Sequence, residues 1–277
     1  MTMRPVVLIT GASSGIGAAL TRVFAANGHD LALVSLPDAQ LDILADDLKL
    51  TKRPLTLAVD LTERDAGQHV ADALASAGLE PSVVVNCAGF GLVGAIAGLN
   101  LARQLAMIDL NMRVLAELSL RFSDSLIRHR GGILNVASIA AFVPCPGMAV
   151  YNASKAFVLL FSEALHRELG DHGVRVTTLC AGPVQTPFLA QAGVHAELPR
   201  LMTQSPEYVA QQAYAGLMAG RRRVVPGLFI RVLAMVMRLL PNVMLLSRGH
   251  RFMQAMSWPP SRKDDPSSVR RRGEFYR

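Results

Sequence analysis

Tyr151 and Lys155 stand four residues apart in Tyr151-Asn152-Ala153-Ser154-Lys155, within a stretch of helical apolar spacing. Residues at i and i+4 share one face of a helix, so the phenol and the ammonium are predicted side by side. A cation beside a phenol favours the phenolate and draws its pKa below the reference near ~10. Tyr151 is thereby a candidate acid and base near neutral pH. Ser138 precedes it by thirteen residues and closes the apolar run from Gly132. A hydroxyl at that strand end could hydrogen-bond a reacting oxygen. A second cluster is Thr10-Gly11-Ala12-Ser13-Ser14-Gly15-Ile16-Gly17. Glycines allow a tight turn and close backbone approach, and the helix that follows offers free N–H groups and a positive dipole end to a pyrophosphate. The spacing is GxxxGxG rather than GxGxxG. Gly11 to Gly15 also fits the GxSxG elbow of hydrolases. None of the seven histidines, however, stands at a predicted strand end where a triad would need it.

These residues need a scaffold. Val/Leu/Ile-rich runs at 5–10, 30–35, 54–59, 82–86, 131–137, 173–180 and 222–226 are nearly continuous, as in strands buried on both faces. Helical patterns lie between them, near 15–27, 38–50, 62–77, 100–128, 149–170 and 206–219. The alternation predicts an α/β fold, a doubly wound parallel sheet of Rossmann type. Glycine loop, Ser138 and Tyr151 then all fall at the carboxyl ends of strands. Residues 185–205 have no convincing period and read as a lid beside that edge.

The chain has 277 residues, 51% of them hydrophobic, enough for a core without staples. Cys87, Cys145 and Cys180 form no CxxC pair, so free thiols in a reducing cytoplasm and no metal site are expected. Met1 to Arg4 run straight into the first apolar run, too short for a signal core. The net charge of +7 is uneven, with +10 on residues 221–277 and −3 on residues 1–220. Three parts are expected: a catalytic domain at 1–226, an apolar and basic helical extension at 227–258, and a disordered basic tail at 259–277. In the extension, Leu228 to Leu240 is a helical pattern with Arg231 and Arg238 on one face, ended by Pro241; Arg248 and Arg251 follow. A span needs about 20 apolar residues and a central arginine costs roughly 2.5–3.5 kcal/mol, so spanning is disfavoured. Contact with an anionic membrane surface and packing on the body stay open. Nucleic-acid binding is not expected, because no aromatic residues interleave the arginines.

The ordered motifs resemble the short-chain dehydrogenase/reductase family over roughly residues 5–226. Thr10 to Gly17 match its TGxxxGxG loop, and Asn86-Cys87-Ala88-Gly89 its NNAG segment, with cysteine for the second asparagine. Asn111 falls at its helix asparagine, Ser138, Tyr151 and Lys155 at its serine and YxxxK, and Ala181-Gly182-Pro183-Val184-Gln185-Thr186 at its post-strand PG segment. The resemblance implies hydride transfer between a nicotinamide and a carbonyl or alcohol carbon. Tyr151 would move the proton, Ser138 hold the oxygen, Lys155 lower the Tyr151 pKa and hold the ribose, and Asn111 support a water relay. It implies cofactor contacts from Gly11, Ser13, Ser14, Gly15, Ile16, Gly17, Ser35, Asp60, Leu61, Asn86, Ala88, Gly89, Gly182, Val184 and Thr186, besides Tyr151 and Lys155. Where family members using NAD carry Asp, this chain has Ser35-Leu36, and the arginine of NADP users is missing too. The missing carboxylate favours NADP. Asp60 has a plainer role as a cap. Family practice implies a homodimer or homotetramer through helices 100–128 and 149–170, where Phe157, Leu159, Leu160 and Phe161 exceed the needs of one buried face. The uncharged run Ile139 to Pro146 and the lid residues Phe188 and Leu189 point to a bulky apolar substrate. A non-enzymatic nicotinamide sensor on this fold is the alternative. Intact Tyr151 and Lys155 speak against it.

Overall fold

The computed structural model describes residues 3–193, 202–241, 243–244 and 246–247. Strands β1 (Arg4–Thr10), β2 (Leu31–Ser35), β3 (Leu55–Ala58), β4 (Leu79–Asn86), β5 (Gly132–Ser138), β6 (Arg175–Ala181) and β7 (Arg223–Val224) form one sheet, ordered β3-β2-β1-β4-β5-β6-β7. Every pairing is parallel. Helices α1 (Gly15–Ala26), α2 (Ala39–Asp47), α3 (Ala66–Ser76), α4 (Leu101–Ile108), α5 (Val114–Arg121), α6 (Ser123–Arg128), α7 (Ala149–Gly170), α8 (Phe188–Gln191), α9 (Pro206–Met218) and α10 (Leu228–Leu239) complete it. This is the doubly wound α/β architecture that the alternation predicts.

The central strands feed two cores at once. Val7 and Ile9 pack with Leu20, Phe24, Val209 and Leu217 from α1 and α9. Their neighbours Val6 and Leu8 pack on the other face with Val70, Leu118 and Leu165 from α3, α5 and α7. With both faces covered, apolar residues are needed at successive positions, which is why the strands read as unbroken runs. Four apolar residues of these strands are interchangeable in kind, but Asn86 and Asn135 are not. They are direct partners in the β4–β5 register. Asn86 Nδ2 donates to Asn135 Oδ1 at 2.8 Å and to Ser119 Oγ at 3.0 Å, and Asn135 Nδ2 donates to Ser162 Oγ at 2.8 Å.

The strand order reverses between β1 and β4, which opens a crevice at their carboxyl ends. Thr10 Oγ1 closes its floor by accepting from the N–H groups of Cys87 and Ala88, both at 3.1 Å.

Several boundaries differ from those expected. The single helix predicted over 100–128 is interrupted by a five-residue π-helical segment at Asp109–Arg113 and restarts after Phe122. Helix α3 begins at Ala66 rather than 62, because Asp60 Oδ1 accepts from Thr62 N at 2.9 Å and Thr62 Oγ1 at 2.7 Å and forms a turn first. The predicted lid has its ends joined. Val184 and Gln204 form a parallel bridge, with Gln185 N donating to Gln204 O at 2.9 Å and Gln204 N to Pro183 O at 3.0 Å. Helix α10 occupies the first part of the expected extension and stops at Leu240-Pro241. Arg248, Arg251 and the tail at 259–277 lie outside the described residues. Of the four residues expected to be surplus on α7, Leu160 is fully outward, Leu159 is buried, and Phe157 and Phe161 are half-buried and stacked at 5.5 Å. Leu101, Leu105 and Ile108 of α4 are exposed as well.

Candidate active site

The glycine loop leaves β1 and enters α1. Gly11 and Gly15 have φ of +65° and +53°, values that L side chains rarely adopt. A Cβ on Gly17 would lie 1.9 Å from Gly11 O, so the turn closes only with glycine there. Ala12 is buried, Ser13 and Ile16 are partly exposed, and Ser14 stands exposed at the α1 N-cap. The Ser14 side chain makes no capping hydrogen bond, so α1's leading N–H groups are not satisfied from within by their cap.

Across the crevice, Thr186 approaches the loop: a Cβ on Gly15 would meet its methyl at 3.1 Å. Gly182 and Val184 lie on the same post-β6 segment; the Val184 side chain is in the core, which leaves its backbone for the crevice. At the third edge, Gly89 sits against the catalytic candidates. A Cβ there would lie 2.9 Å from Asn111 Oδ1 and 3.4 Å from Lys155 Nζ. Ala88 is half-buried beside it.

Ser138, Tyr151 and Lys155 come together as the spacing predicts. The Ser138 side chain faces the Tyr151 hydroxyl, and its Oγ accepts from Ala140 N at 3.1 Å. Lys155 Nζ is 5.8 Å from the Tyr151 ring centroid and donates to Val136 O at 2.9 Å. Both side chains are buried. Burial pushes the Tyr151 phenol up to about 12, opposed by the Ser138 hydroxyl, and pushes the Lys155 ammonium down to about 8. The net shift of the phenol in this cofactor-free arrangement is thus upward, where the i,i+4 spacing alone predicts a lowering, because burial disfavours the phenolate.

Asn111 lies in the π-helical segment, a geometry often found at functional sites. Its Oδ1 accepts from Phe90 N at 3.2 Å, and its Nδ2 donates to Phe90 O and to Ser154 Oγ, both at 3.0 Å. The amide is therefore committed to clamping the segment after β4, and its side chain has no hydrogen left to donate to a water. Three other predicted contacts turn inward. Asn86 spends its amide hydrogens in the core network, Leu61 is buried in the core, and Ser35 Oγ donates to Leu36 O at 2.8 Å. Asp60 is the turn-forming cap described above.

An apolar wall surrounds Tyr151. Leu92 and Met107 are buried with it, and Phe90, Leu99, Met148 and Phe188 pack against them. The Phe188 ring, from α8 in the lid, is 5.7 Å from that of Tyr151. A small cavity of about 20 Å³ borders this wall, lined by Leu92, Leu99, Gln104, Met107, Met148 and Val150 among others, with no charged side chain.

The chain matches the family model described as short chain dehydrogenase over residues 5–196. It belongs to the short-chain dehydrogenase family. Sulfoacetaldehyde reductase 2 of Chromohalobacter salexigens is 38% identical over 189 residues, 67% of this chain and 75% of that protein. Among solved structures, a short-chain dehydrogenase from Sphingobium yanoikuyae in complex with NADPH superposes with a TM-score of 0.75 at 28% identity, covering 94% of this chain and 99% of that one. The bulky-bulky ketone specific alcohol dehydrogenase from Comamonas testosteroni gives 0.71 at 25% identity, covering 90% and 99%. As a short-chain dehydrogenase/reductase the chain is an oxidoreductase of alcohol and carbonyl groups, and the hydrolase reading of Gly11 to Gly15 falls away.

Sequence reasoning missed several supporting residues. Thr10 lay within the motif but was given no role of its own. Ser154 sits inside the Tyr151–Lys155 motif, and its i+3 spacing from Tyr151 placed it on the same helix face. Arg113 bonds Asp109 at 2.9 Å and reaches the carbonyls of Thr62 at 3.0 Å and Glu63 at 2.7 Å, tying the π-helical segment to the turn after Asp60. Nothing local in the sequence marks that role.

Proposed function

We propose that the protein interconverts a bulky apolar ketone and its alcohol with NADP(H), using Ser138, Tyr151 and Lys155. The meeting of these three groups in one buried crevice, between a glycine turn and an apolar wall, carries the reading. Residues 1–226 form the catalytic domain and residues from 227 onward an extension. The bound cofactor supplies or accepts the hydride. Tyr151 gives its proton to the carbonyl oxygen on reduction and takes it back on oxidation. Ser138, whose side chain faces the Tyr151 hydroxyl, orients that oxygen. Lys155, a buried cation beside the phenol, stabilises phenolate character as the proton leaves. Asn111 acts through Phe90 and Ser154 and is a positioning residue.

Gly11, Ser13, Ser14, Gly15, Ile16 and Gly17 hold the pyrophosphate, and Ala88, Gly89, Gly182, Val184 and Thr186 border the rest of the cofactor. The unfilled Ser14 cap fits such a group, and the lack of a side chain at Gly89, where a Cβ would lie 2.9 Å from Asn111 Oδ1, lets the backbone there approach the catalytic residues closely. The choice of NADP is supported by the end of β2. Ser35 and Leu36 carry no charge, and Asp38 is spent capping α2, accepting from Leu41 N at 3.1 Å. No carboxylate at 35 or 36 therefore repels a 2′-phosphate. The substrate class is supported by the wall around Tyr151. A sulfonate or carboxylate substrate needs a cation that the described lining does not offer, whereas an apolar one is matched by it. A homodimer or homotetramer is supported by the exposed Leu101, Leu105 and Leu160 on α4 and α7. Membrane contact through the extension, without spanning, is supported by the basic charge from residue 221 onward. Among the described residues no helix is long and apolar enough to cross a bilayer.

The test is Tyr151→Phe, assayed with a long-chain ketone and titrated with NADPH and NADH by fluorescence. Turnover should fall roughly 10²- to 10⁴-fold, with cofactor binding unchanged and NADPH the tighter ligand. Wild-type turnover with normal binding would refute the role of Tyr151, and tighter NADH would refute the cofactor assignment.

A further inference from the structure

Helix α10 is apolar on two sides. Its inner side is seated: Ile230 and Ala234 are buried, with Ile230 packed against Gly182 of the post-β6 segment. Arg238 lies 5.5 Å over the Phe142 ring, in the turn that follows Ser138. Leu246, farther along the extension, lines a groove with Val143, Pro144 and Pro146. The extension thus leans on both segments that follow the catalytic strand ends.

The outer side has no partner among the described residues. Leu228, Val232, Met235 and Leu239 recur at spacings of four, three and four, which on a helix is one continuous stripe. They are 74%, 51%, 63% and 76% exposed, with Phe229 and Val236 widening the stripe on one flank. At 100° per residue, Arg231 and Arg238 line the opposite flank, and both are exposed. Arg238 is engaged by Phe142, which leaves Arg231, among the described residues, as the free cation beside the apolar stripe, and a basic flank beside such a stripe is the arrangement of a helix lying in a membrane interface.

We propose that this face of α10 docks on an anionic lipid bilayer, the stripe entering the acyl boundary and Arg231 meeting the headgroups. The inference rests on the reading that the extension meets a membrane, and it adds which face does so and through which residues. Charge favours this occupant over a second copy. Residues 221–277 carry +10, so two such pieces face to face repel each other, while an anionic surface attracts each. The exposed apolar residues of α4 and α7, moreover, already offer copies of the chain another surface.

The experiment is co-sedimentation of the full chain with phosphatidylcholine vesicles, with and without phosphatidylglycerol. It uses the wild type, Val232→Asp/Leu239→Asp and Arg231→Glu; Arg238 is left in place because its guanidinium lies over Phe142. The changed side chains are outward, so both variants should fold and reduce a short water-soluble ketone as the wild type does. Wild type should partition strongly only with phosphatidylglycerol present, and both variants should lose at least about tenfold, as reversal of a headgroup-facing charge or loss of two buried apolar groups dictates. Anionic vesicle binding that both variants retain overturns this face while sparing the broader reading. Absence of wild-type binding overturns both. A fall in solution mass of Val232→Asp/Leu239→Asp, with vesicle binding intact, makes the face an interface between copies and likewise overturns the proposal.

Discussion

Lys155→Met should stabilise the cofactor-free fold while abolishing catalysis. The ammonium is buried, and its pKa falls from 10.5 to about 8. Each tenfold change in a protonation constant is worth about 1.4 kcal/mol, so the folded protein holds the charged lysine at a cost of about 3 kcal/mol at neutral pH. The hydrogen bond to Val136 O offsets part of this in the wild type. A bond from a charged donor is worth about 1.5 kcal/mol, so a methionine of similar length should gain about 2 kcal/mol. The sign with pH follows from a folded pKa lying below the unfolded one. Between about 8 and 10.5 the unfolded chain binds more protons than the folded one, so wild-type stability rises with pH through that window. The advantage of methionine is complete below about pH 8 and fades as pH rises; near about pH 9.5 it should be close to zero. Equilibrium urea unfolding of both proteins at neutral pH and near about pH 9.5 measures it. A Lys155→Met protein that is less stable than wild type at neutral pH, or whose difference from wild type is the same at both values, would refute the claim that burial dominates this amine.

Two further outcomes follow from the wall and the clamp. Phe188→Ala removes the ring beside Tyr151; with straight-chain ketones of rising length, the wild-type gain in kcat/KM of up to ~0.8 kcal/mol per methylene should fall by half or more, and equal slopes would take Phe188 out of the substrate wall. Asn111→Ala leaves the Phe90 N–H and carbonyl and the Ser154 hydroxyl short of partners, which should cost about 3 kcal/mol at 1–3 kcal/mol per unsatisfied group. Its urea midpoint should fall and kcat should drop more than KM rises; an unchanged midpoint would show that the clamp carries no strain.

What the sequence disclosed were the features that local spacing encodes. The glycine turn, the i,i+4 pair and the apolar runs each follow from a few neighbouring residues, and all three stand where the spacing put them. Features set by distant partners were hidden. The helix expected over 100–128 contains no glycine or proline, so nothing local announced a break. The π-helical segment coincides with the clamp of Asn111 on Phe90, twenty-one residues away. Asn86 matched a cofactor motif, yet its amide faces Asn135 and Ser119, partners that only the sheet order brings near. The Tyr151 pKa was misjudged for the same reason. The four-residue spacing reports a cation next door, but burial of the phenol depends on Leu92, Met107 and Phe188, which arrive from three other segments.

The asparagine pair has a consequence for how the sheet is assembled. A parallel strand buried on both faces has no inside and outside to tell apart, so Val83-Val84-Val85 could slide along Ile133 and Leu134 at little cost in burial. Asn86 cannot slide. One step out of line would strand its amide among aliphatic side chains, away from Asn135 and Ser119, and each orphaned polar group there costs about 1–3 kcal/mol. The pair acts as a key between β4 and β5 that accepts a single alignment. Because Gly89 lies three residues past the end of β4 and Ser138 is the last residue of β5, the same key sets how far each reaches into the crevice. The distance between the cofactor edge and the catalytic serine is thus fixed during folding, by two side chains that the chemistry itself never touches.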